Sequence, residues 1–164
     1  MLASGANWYP VYTHPNLERK IHLALVKQNV TTYLPLQVVF RQWSDRVKQL
    51  QVPLFPSYLF VHIHDWERAN VLKVPGVAKF ILFEGHPAII SDDEISIIRK
   101  FEGSAVELES AMIAGDRVQI RQGPFAGIEG ILFKKKGRAR FGVRLEGLRQ
   151  SLSLEIGMSL LRKL

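Results

Sequence analysis

The chain has 164 residues, of which 47% are hydrophobic, and a formal charge of +7 at pH 7. No apolar run approaches the roughly 20 residues that a membrane helix needs, and the first residues lack the pattern of a signal peptide, so we expect a cytoplasmic protein with no membrane contact. The absence of cysteine excludes disulfides, thiolate metal sites and a cysteine nucleophile. The positive charge favours a polyanionic partner, and residues 105–164 carry most of it, with 11 Lys and Arg against 6 Asp and Glu.

The N-terminal residues predict a strand followed by an amphipathic helix. Residues Trp8 to Thr13 are rich in aromatic and β-branched side chains, which favour a strand. A helix is predicted to start at Thr13-His14-Pro15, because proline is tolerated in the first turn. Its apolar stripe consists of Leu17, Ile21, Ala24 and Leu25. Lys20 and Lys27, seven residues apart, share a flank away from that stripe, which is either a solvated basic surface or a phosphate contact.

A long hairpin is predicted next. One strand from Tyr33 to Trp43 and another from Val47 to Val52 flank the polar break Ser44-Asp45. Its tip is polar and basic through Arg41, Gln42, Arg46, Lys48 and Gln49. The tip is therefore either a solvated arm or a contact with a polyanion.

Residues Pro53 to Val61 read Pro-Leu-Phe-Pro-Ser-Tyr-Leu-Phe-Val and predict a central strand preceded by a rigid bend. Side chains from Tyr58 to Ile63 alternate between two sets that are both largely apolar, so the strand should be covered on both faces. Prolines on each side of Leu54-Phe55 remove two ladder donors, which places Phe55 at a margin of the sheet. Phe55 and Tyr58 are then either core residues or part of an apolar docking site.

Two helices and one more strand complete the N-terminal region. Asp65 is predicted to cap a short helix that ends at about Lys73, and Val77 to Phe83 is predicted to be a strand. Ser91-Asp92-Asp93-Glu94 has the spacing of a capping box, and Ile95, Ile98 and Phe101 continue it as an amphipathic helix. This order of elements predicts an α+β fold, with an antiparallel sheet flanked by helices.

The composition changes from Met112 onward, where glycines interrupt short alternating apolar runs. Such a pattern is typical of a small, strongly bent β-barrel. We therefore expect domains at residues 1–103 and 112–164, joined by a linker at 104–111. Five cations surround one predicted hairpin turn, which is either a phosphate contact or a solubilising turn. They are Lys134, Lys135, Lys136, Arg138 and Arg140.

Two sets of motifs resemble the NusG family of transcription elongation factors. Residues 115–120 followed by 123–130 resemble the KOW module at the C-terminus of that family. Trp8-Tyr9, then residues 54–61 and then Pro75-Gly76-Val77 resemble its N-terminal (NGN) domain in the same order. The stretches 53–61 and 87–90 are similar to those of operon-specific paralogues of the RfaH type. The resemblance implies an NGN domain, a KOW barrel, and a transcription elongation or antitermination factor that is not an enzyme and needs no cofactor or metal.

The same resemblance implies partners and site residues. The NGN domain would bind the clamp helices of RNA polymerase and oppose pausing or termination, through positions matched here by Tyr12, Phe55, Pro56, Tyr58 and Phe80. The first helix and its flanks would contact the non-template DNA strand, through positions matched here by His14, Lys20, Lys27 and Gln28. A monomer is expected.

Two stretches depart from the pattern of the family. Residues 67–70, Glu-Arg-Ala-Asn, replace the polar run that contacts the opposite polymerase pincer in RfaH. Residues 146–149 replace an aromatic loop that contacts a ribosomal protein, so the KOW domain has a ribosomal protein, Rho or RNA as candidate partners, with the basic turn as a candidate RNA contact. The many glycines argue against a helical state of this domain.

Two other classes of protein are weighed against this interpretation. His62 and His64 beside Asp65 have a spacing compatible with a metal site, but no third ligand is evident, and phosphate-cradling or nucleophile-elbow motifs are missing. A KOW-type RNA-binding ribosomal or assembly protein is the alternative that the basic C-terminal region favours. The aromatic residues Phe55 and Tyr58 favour a polymerase-binding factor instead.

Overall fold

The computed structural model describes residues 5–109 and 113–164. Contacts divide the chain into two compact units, one made of residues up to Leu36 and Pro53–Ile95, and a second made of Gln37–Val52 and Ser96–Leu164. Residues 1–4 and 110–112 lie outside the described ranges. The end of the expected linker at 104–111 and the expected domain start at Met112 fall within the second of these gaps. The domain limits 1–103 and 112–164 therefore stay a prediction.

The elements follow in chain order. The helices are α1 (Glu18–Lys27), α2 (Arg68–Leu72) and α3 (Asp92–Phe101), with short 3-10 turns at Asp65–Glu67 and Met158–Leu160. The strands are β1 (Asn7–Thr13), β2 (Thr31–Tyr33), β3 (Leu36–Gln42), β4 (Val47–Pro53), β5 (Tyr58–Ile63), β6 (Val77–Phe80), β7 (Leu82–Phe83), β8 (His86–Pro87), β9 (Glu107–Glu109), β10 (Asp116–Ile120), β11 (Glu129–Lys135), β12 (Arg138–Leu145), β13 (Gln150–Glu155) and β14 (Leu161–Lys163). None of the helices in the described ranges has the length and apolarity required to cross a bilayer.

The first sheet is antiparallel and has the strand order β2-β5-β1-β6. β5 lies between β2 and β1, and Leu59, Phe60 and Val61 are fully buried. The predicted central strand is therefore confirmed. Alternate residues of β1 and β5, including Tyr9 and Leu59, pack with the apolar stripe of α1 in one hydrophobic core. Burial of each large apolar side chain contributes about 1.5–3 kcal/mol, so this core fixes α1 on one face of the sheet.

Three predicted boundaries in the first unit differ from the structure. α1 begins at Glu18 rather than near His14, because Pro15 and Asn16 form a turn in which Asn16 has a φ of 65°, a value that no right-handed helix contains. The predicted strand from Tyr33 to Trp43 is interrupted at Pro35, which lacks the N–H that a continuous ladder requires. The strand predicted at residues 77–83 is divided into β6, which pairs with β1, and β7, which pairs with β8.

The two predicted helix starts have different outcomes. At the second helix, the cap is His64 rather than Asp65, because the Glu67 carboxylate accepts a hydrogen bond from the His64 N–H at 2.7 Å. Asp65 instead forms an ion pair with Arg68 at 2.9 Å. At α3, the predicted serine cap is confirmed, since the Glu94 N–H donates to the Ser91 Oγ at 3.1 Å, and the Ser91 hydroxyl donates to the Glu94 carboxylate at 3.3 Å.

The second sheet has the strand order β14-β10-β11-β12-β13-β9, and each neighbouring pair is antiparallel. Gly130 is required because a Cβ there would lie 2.4 Å from the Gly142 carbonyl oxygen of the neighbouring strand. Lys136 and Gly137 form the two-residue turn between β11 and β12, with φ values of 52° and 77°. Residues 107–109 of the expected linker form β9, because they pair with β13 at the edge of this sheet.

Candidate functional site

Tyr12 and Tyr58 form a half-buried aromatic pair at one end of the first sheet. They lie directly opposite each other on β1 and β5, and their rings meet edge to face with centroids 5.4 Å apart. Lys79, opposite Tyr12 on β6, places its Nζ 5.8 Å from the centroid of the Tyr12 ring. Tyrosine is enriched at protein interfaces, because its ring is apolar and its hydroxyl can form a hydrogen bond. The pair is therefore suited to contact another protein.

The bend that precedes Tyr58 is held by a buried carboxylate. Glu18, only 6% exposed, accepts a hydrogen bond from the Ser57 N–H at 2.9 Å, and the Ser57 carbonyl accepts one from the Thr13 N–H at 2.8 Å. Ser57 has a φ of 68°, a conformation that the surrounding hydrogen bonds must maintain. Pro56 is exposed in this bend. Sequence reasoning missed Glu18, whose only signal is an acidic side chain in the first turn of a helix.

Phe55 belongs to the core rather than to this surface. Its side chain is 1% exposed, and its ring meets the Phe60 ring edge to face at 5.8 Å. Of the two interpretations open for Phe55, the structure supports the core residue. The bend folds Leu54 and Phe55 inward, so its place beside the strand does not expose the ring.

Phe80 lies on the opposite side of the sheet from the tyrosine pair. It is the partner of Val11 across β1 and β6, and its ring meets the Tyr9 ring at 6.0 Å within the α1 core. Residues that are neighbours in a strand point to opposite faces, so Phe80 cannot share a surface with Tyr12. The structure thus brings Tyr12 and Tyr58 together beside the bend of Pro56, and places neither Phe55 nor Phe80 at that surface.

The basic flank of α1 is exposed along its length. His14, Lys20, Lys27 and Gln28 are all exposed. With a rise of 1.5 Å per residue, Lys20 and Lys27 are separated by roughly 10 Å along the helix axis. His14 precedes the helix, and its backbone N–H donates to the Gly76 carbonyl at 2.9 Å. The flank therefore offers two cations between two side chains that can form hydrogen bonds, which is a suitable arrangement for a nucleic-acid strand.

A pocket of about 400 Å³ adjoins Gln28 at the end of this flank. Its lining combines polar side chains with an apolar set. The polar residues are Gln28, Glu67, Asn70 and Lys73, and the apolar ones are Val30, Ile63, Val71, Val74 and Pro75. This concavity could not be predicted from a local pattern, because its walls come from separate segments of the chain.

The basic turn of the second sheet is largely paired with carboxylates. The Lys135 Nζ lies 2.8 Å from Glu107 and 3.0 Å from Glu109, and Arg138 lies 3.3 Å from Glu155. Arg140 is 6% exposed and donates to the Ser153 Oγ at 2.9 Å and to the Ser153 carbonyl at 3.0 Å. Of the five cations expected to contact RNA, the exposed ones that the ion pairs above do not involve are Lys134 and Lys136.

These contacts shift three ionisation equilibria. The hydrogen bond from Lys135 holds the pKa of Glu107 below its ordinary value. Burial would raise the pKa of Glu109, but hydrogen bonds from Ser153 and Lys135 outweigh it and the pKa is lowered. Hydrogen bonds to both carboxylates raise the pKa of Lys135.

Acidification is therefore expected to loosen β9 from the second sheet. Both carboxylates have a lower pKa in the folded chain, so they contribute stability above their unfolded pKa of about 4.3, and this contribution is lost as the pH falls through the lowered values. Hydrogen exchange of residues 107–109 at pH 7 and pH 3, corrected for the intrinsic rate, measures the effect. A Glu107→Gln, Glu109→Gln variant should lose most of the pH dependence; an unchanged dependence would contradict the assignment.

The histidines of β5 and its flank are packed against tryptophans. The His62 ring lies 4.9 Å from Trp8, and the His64 ring stacks on Trp66 at 5.7 Å with an interplanar angle of 8°. Within residues 5–109 and 113–164, no group of three or more His, Asp or Glu side chains is placed to hold a metal ion.

Comparison with known proteins gives a consistent set of relatives. The family model described as "Transcription termination factor nusG" matches residues 6–99. Three similar proteins are named "Transcription termination/antitermination protein NusG". The Lactococcus lactis protein is 24% identical over 144 residues, covering 79% of this chain and 78% of the relative. The Borreliella burgdorferi protein is 26% identical, covering 76% and 80%. The Staphylococcus carnosus protein is 28% identical, covering 73% and 74%.

A solved structure described as "Domain interaction in Thermotoga maritima NusG" is also similar. It has a TM-score of 0.59 and 23% identity, and the match covers 97% of each chain. At this identity the likeness bears on the fold alone.

Proposed function

The chain belongs to the NusG family, and from this premise we propose that it binds RNA polymerase through the surface that carries Tyr12, Pro56 and Tyr58. Members of the family are transcription termination and antitermination factors without enzymatic activity. The α+β fold expected from the motifs, with an NGN sheet and a KOW-type second sheet, is confirmed by the described strands and by the likeness to the solved structure.

The tyrosine pair is the observation that carries this proposal. Its two rings are fixed against each other, and the bend beside them is fixed by the buried Glu18 carboxylate. Rigid aromatic side chains lose little conformational entropy on binding, which is why interface hot spots are rich in tyrosine. Both rings are half-buried, so part of each remains accessible to a helical partner such as the polymerase clamp.

Binding to bacterial core RNA polymerase tests the proposal. A Tyr12→Ala, Tyr58→Ala variant is expected to bind at least about tenfold more weakly, since a central interface aromatic contributes about 2 kcal/mol or more. Trp66→Ala is the matched control, because Trp66 is an exposed aromatic of the same unit, 74% exposed, outside this pair. Equal binding by wild type and the double variant, at matched stability, would reject this surface as the polymerase contact.

The basic flank of α1 is proposed to contact the non-template DNA strand. Lys20 and Lys27 would supply sequence-independent contacts to phosphates, while His14 and Gln28 are placed to contact base edges. We expect Lys20→Ala with Lys27→Ala to reduce the salt dependence of single-stranded DNA binding, by roughly 0.7 in logarithmic slope for each lost phosphate contact. Lys100→Ala, which removes an exposed cation from α3, is the control. A loss of affinity with an unchanged slope would contradict the phosphate contacts.

We further propose that the protein acts at specific operons, which it recognises by their DNA sequence. The pocket beside Gln28 supports it, because its amide, carboxylate and ammonium groups surround a space that an extruded base could enter. A factor that acts at one DNA element must discriminate between sequences, which requires contacts of this kind in addition to phosphate contacts.

The alternative of an RNA-binding ribosomal or assembly protein has less support. The family match covers the N-terminal residues 6–99, whereas that alternative rests on the KOW segment alone. An RNA contact at the basic turn would depend on Lys134 and Lys136, since Lys135, Arg138 and Arg140 are engaged with carboxylates or with Ser153. Whether the KOW domain binds a ribosomal protein, Rho or RNA stays a prediction.

A further inference from the structure

The hairpin of β3 and β4 carries large side chains that are exposed near its turn. Phe40 is 71% exposed, Trp43 is 51% exposed and Val47 is 59% exposed. The Trp43 N–H donates to the Arg46 carbonyl at 2.7 Å, which closes the turn around Ser44-Asp45. Neither the tyrosine pair nor the basic flank of α1 includes any of these residues.

One cation contacts the exposed indole of Trp43, and two more are its near neighbours in the sequence. Arg41 lies in β3, which ends at Gln42, and Trp43 follows directly at the start of the turn. The Lys48 Nζ lies 5.4 Å from the centroid of the Trp43 ring. Between residues 41 and 48 the chain carries three cations, the third being Arg46, and one carboxylate, Asp45.

This combination matches the chemistry of an unpaired nucleotide. An exposed indole provides a flat surface on which a base can stack, and Arg and Lys side chains around it can neutralise the adjacent phosphates. The bases of a duplex are stacked on one another. Its phosphates could bind the cations, but no base would be available to stack on the indole. The carboxylates of an acidic protein segment could likewise pair with the cations, but they provide no flat apolar group that could stack on the indole ring.

We propose that the hairpin tip, residues 41–48, binds single-stranded nucleic acid by stacking a base on Trp43 between phosphates held by Arg41, Arg46 and Lys48. The strand is DNA or RNA, since both present the same base faces and phosphates. None of its residues belongs to the polymerase surface or to the α1 flank, so substitutions in the hairpin test it independently of both.

Fluorescence anisotropy with the full chain tests the proposal. The probes are a labelled twelve-nucleotide oligothymidylate, an oligouridylate of the same length and a duplex of matched length. We expect Trp43→Ala to weaken binding of a single strand by about tenfold, and Trp43→Phe to restore most of the loss, because any aromatic ring can stack. Whether the deoxy or the ribo strand shows the larger effect identifies the source of the nucleotide.

Matched controls separate stacking from charge and from unfolding. Trp66→Ala removes a comparably exposed indole elsewhere and should leave affinity unchanged. A Trp66→Phe variant retains Trp8, which is only 8% exposed, and Trp43, which is 51% exposed. In this variant the fluorescence of Trp43 should be quenched when the single strand is added. Unchanged affinity of Trp43→Ala, or an equal loss on duplex and single strand, would overturn the proposal.

Discussion

Replacement of Phe55 by alanine is expected to lower the free energy of unfolding by about 3–5 kcal/mol. The ring is 1% exposed and packs edge to face on Phe60, so its removal leaves a cavity between the bend and the strand β5. The prolines on both sides of Leu54-Phe55 restrict the backbone, which limits how far the bend can collapse into that cavity. Urea denaturation measures the change.

Tyr58→Ala provides the comparison for Phe55. Tyr58 is only half-buried, so its replacement should destabilise the fold less while weakening polymerase binding more. Polymerase binding of Phe55→Ala, corrected for the folded fraction, should remain close to that of the wild type. A small change in stability together with a large loss of binding would show that Phe55 itself contacts the polymerase.

Replacement of Arg140 by methionine is expected to destabilise the second sheet by about 2–4 kcal/mol. Methionine retains much of the apolar volume, but it removes the hydrogen bonds to the Ser153 Oγ and carbonyl. The buried Ser153 carbonyl then loses its donor, while Glu107, 3.9 Å from the Arg140 guanidinium, keeps its closer ion pair with Lys135. Thermal and urea unfolding measure the difference.

Arg138→Met is the matched control for Arg140. Arg138 lies two residues away on the same strand, and its side chain is 74% exposed in an ion pair with Glu155. An exposed ion pair contributes about 0–1 kcal/mol, so this variant should be close to the wild type in stability. Equal destabilisation by the two substitutions would mean that the charge of the turn, rather than the buried contacts of Arg140, stabilises the sheet.

Features with a local physical cause could be predicted from the sequence. The alternation from Tyr58 to Ile63 predicted a strand covered on both faces, since burial of each side chain depends on its position in the strand. Ser91 and Glu94 predicted the start of α3 because both partners of a capping box lie within four residues. The apolar stripe of α1 predicted its packing face in the same way.

Features that depend on strand pairing could not be predicted. Tyr12 and Phe80 were expected on one surface, but the register of β1 and β6 sets Phe80 opposite Val11 and so on the other face. A shift of one residue would reverse this result, and no local pattern fixes the register. The pairing of Lys135 with Glu107 and Glu109 joins residues up to 28 apart, so the sequence showed a run of cations without its carboxylates.

The position of β9 at the edge of the second sheet has a consequence for the order in which this unit folds. The hairpin of β11 and β12 closes through the two-residue turn at Lys136-Gly137, so its contacts form with little loss of chain entropy. β9 must find β13 across 44 residues of sequence, as the contact of Glu109 with Ser153 shows. We therefore expect the hairpin to form early and β9 to dock late, as must the other edge strand, β14, which pairs with β10 across up to 45 residues. The two edge ladders are then the parts of the sheet that open first in the native state.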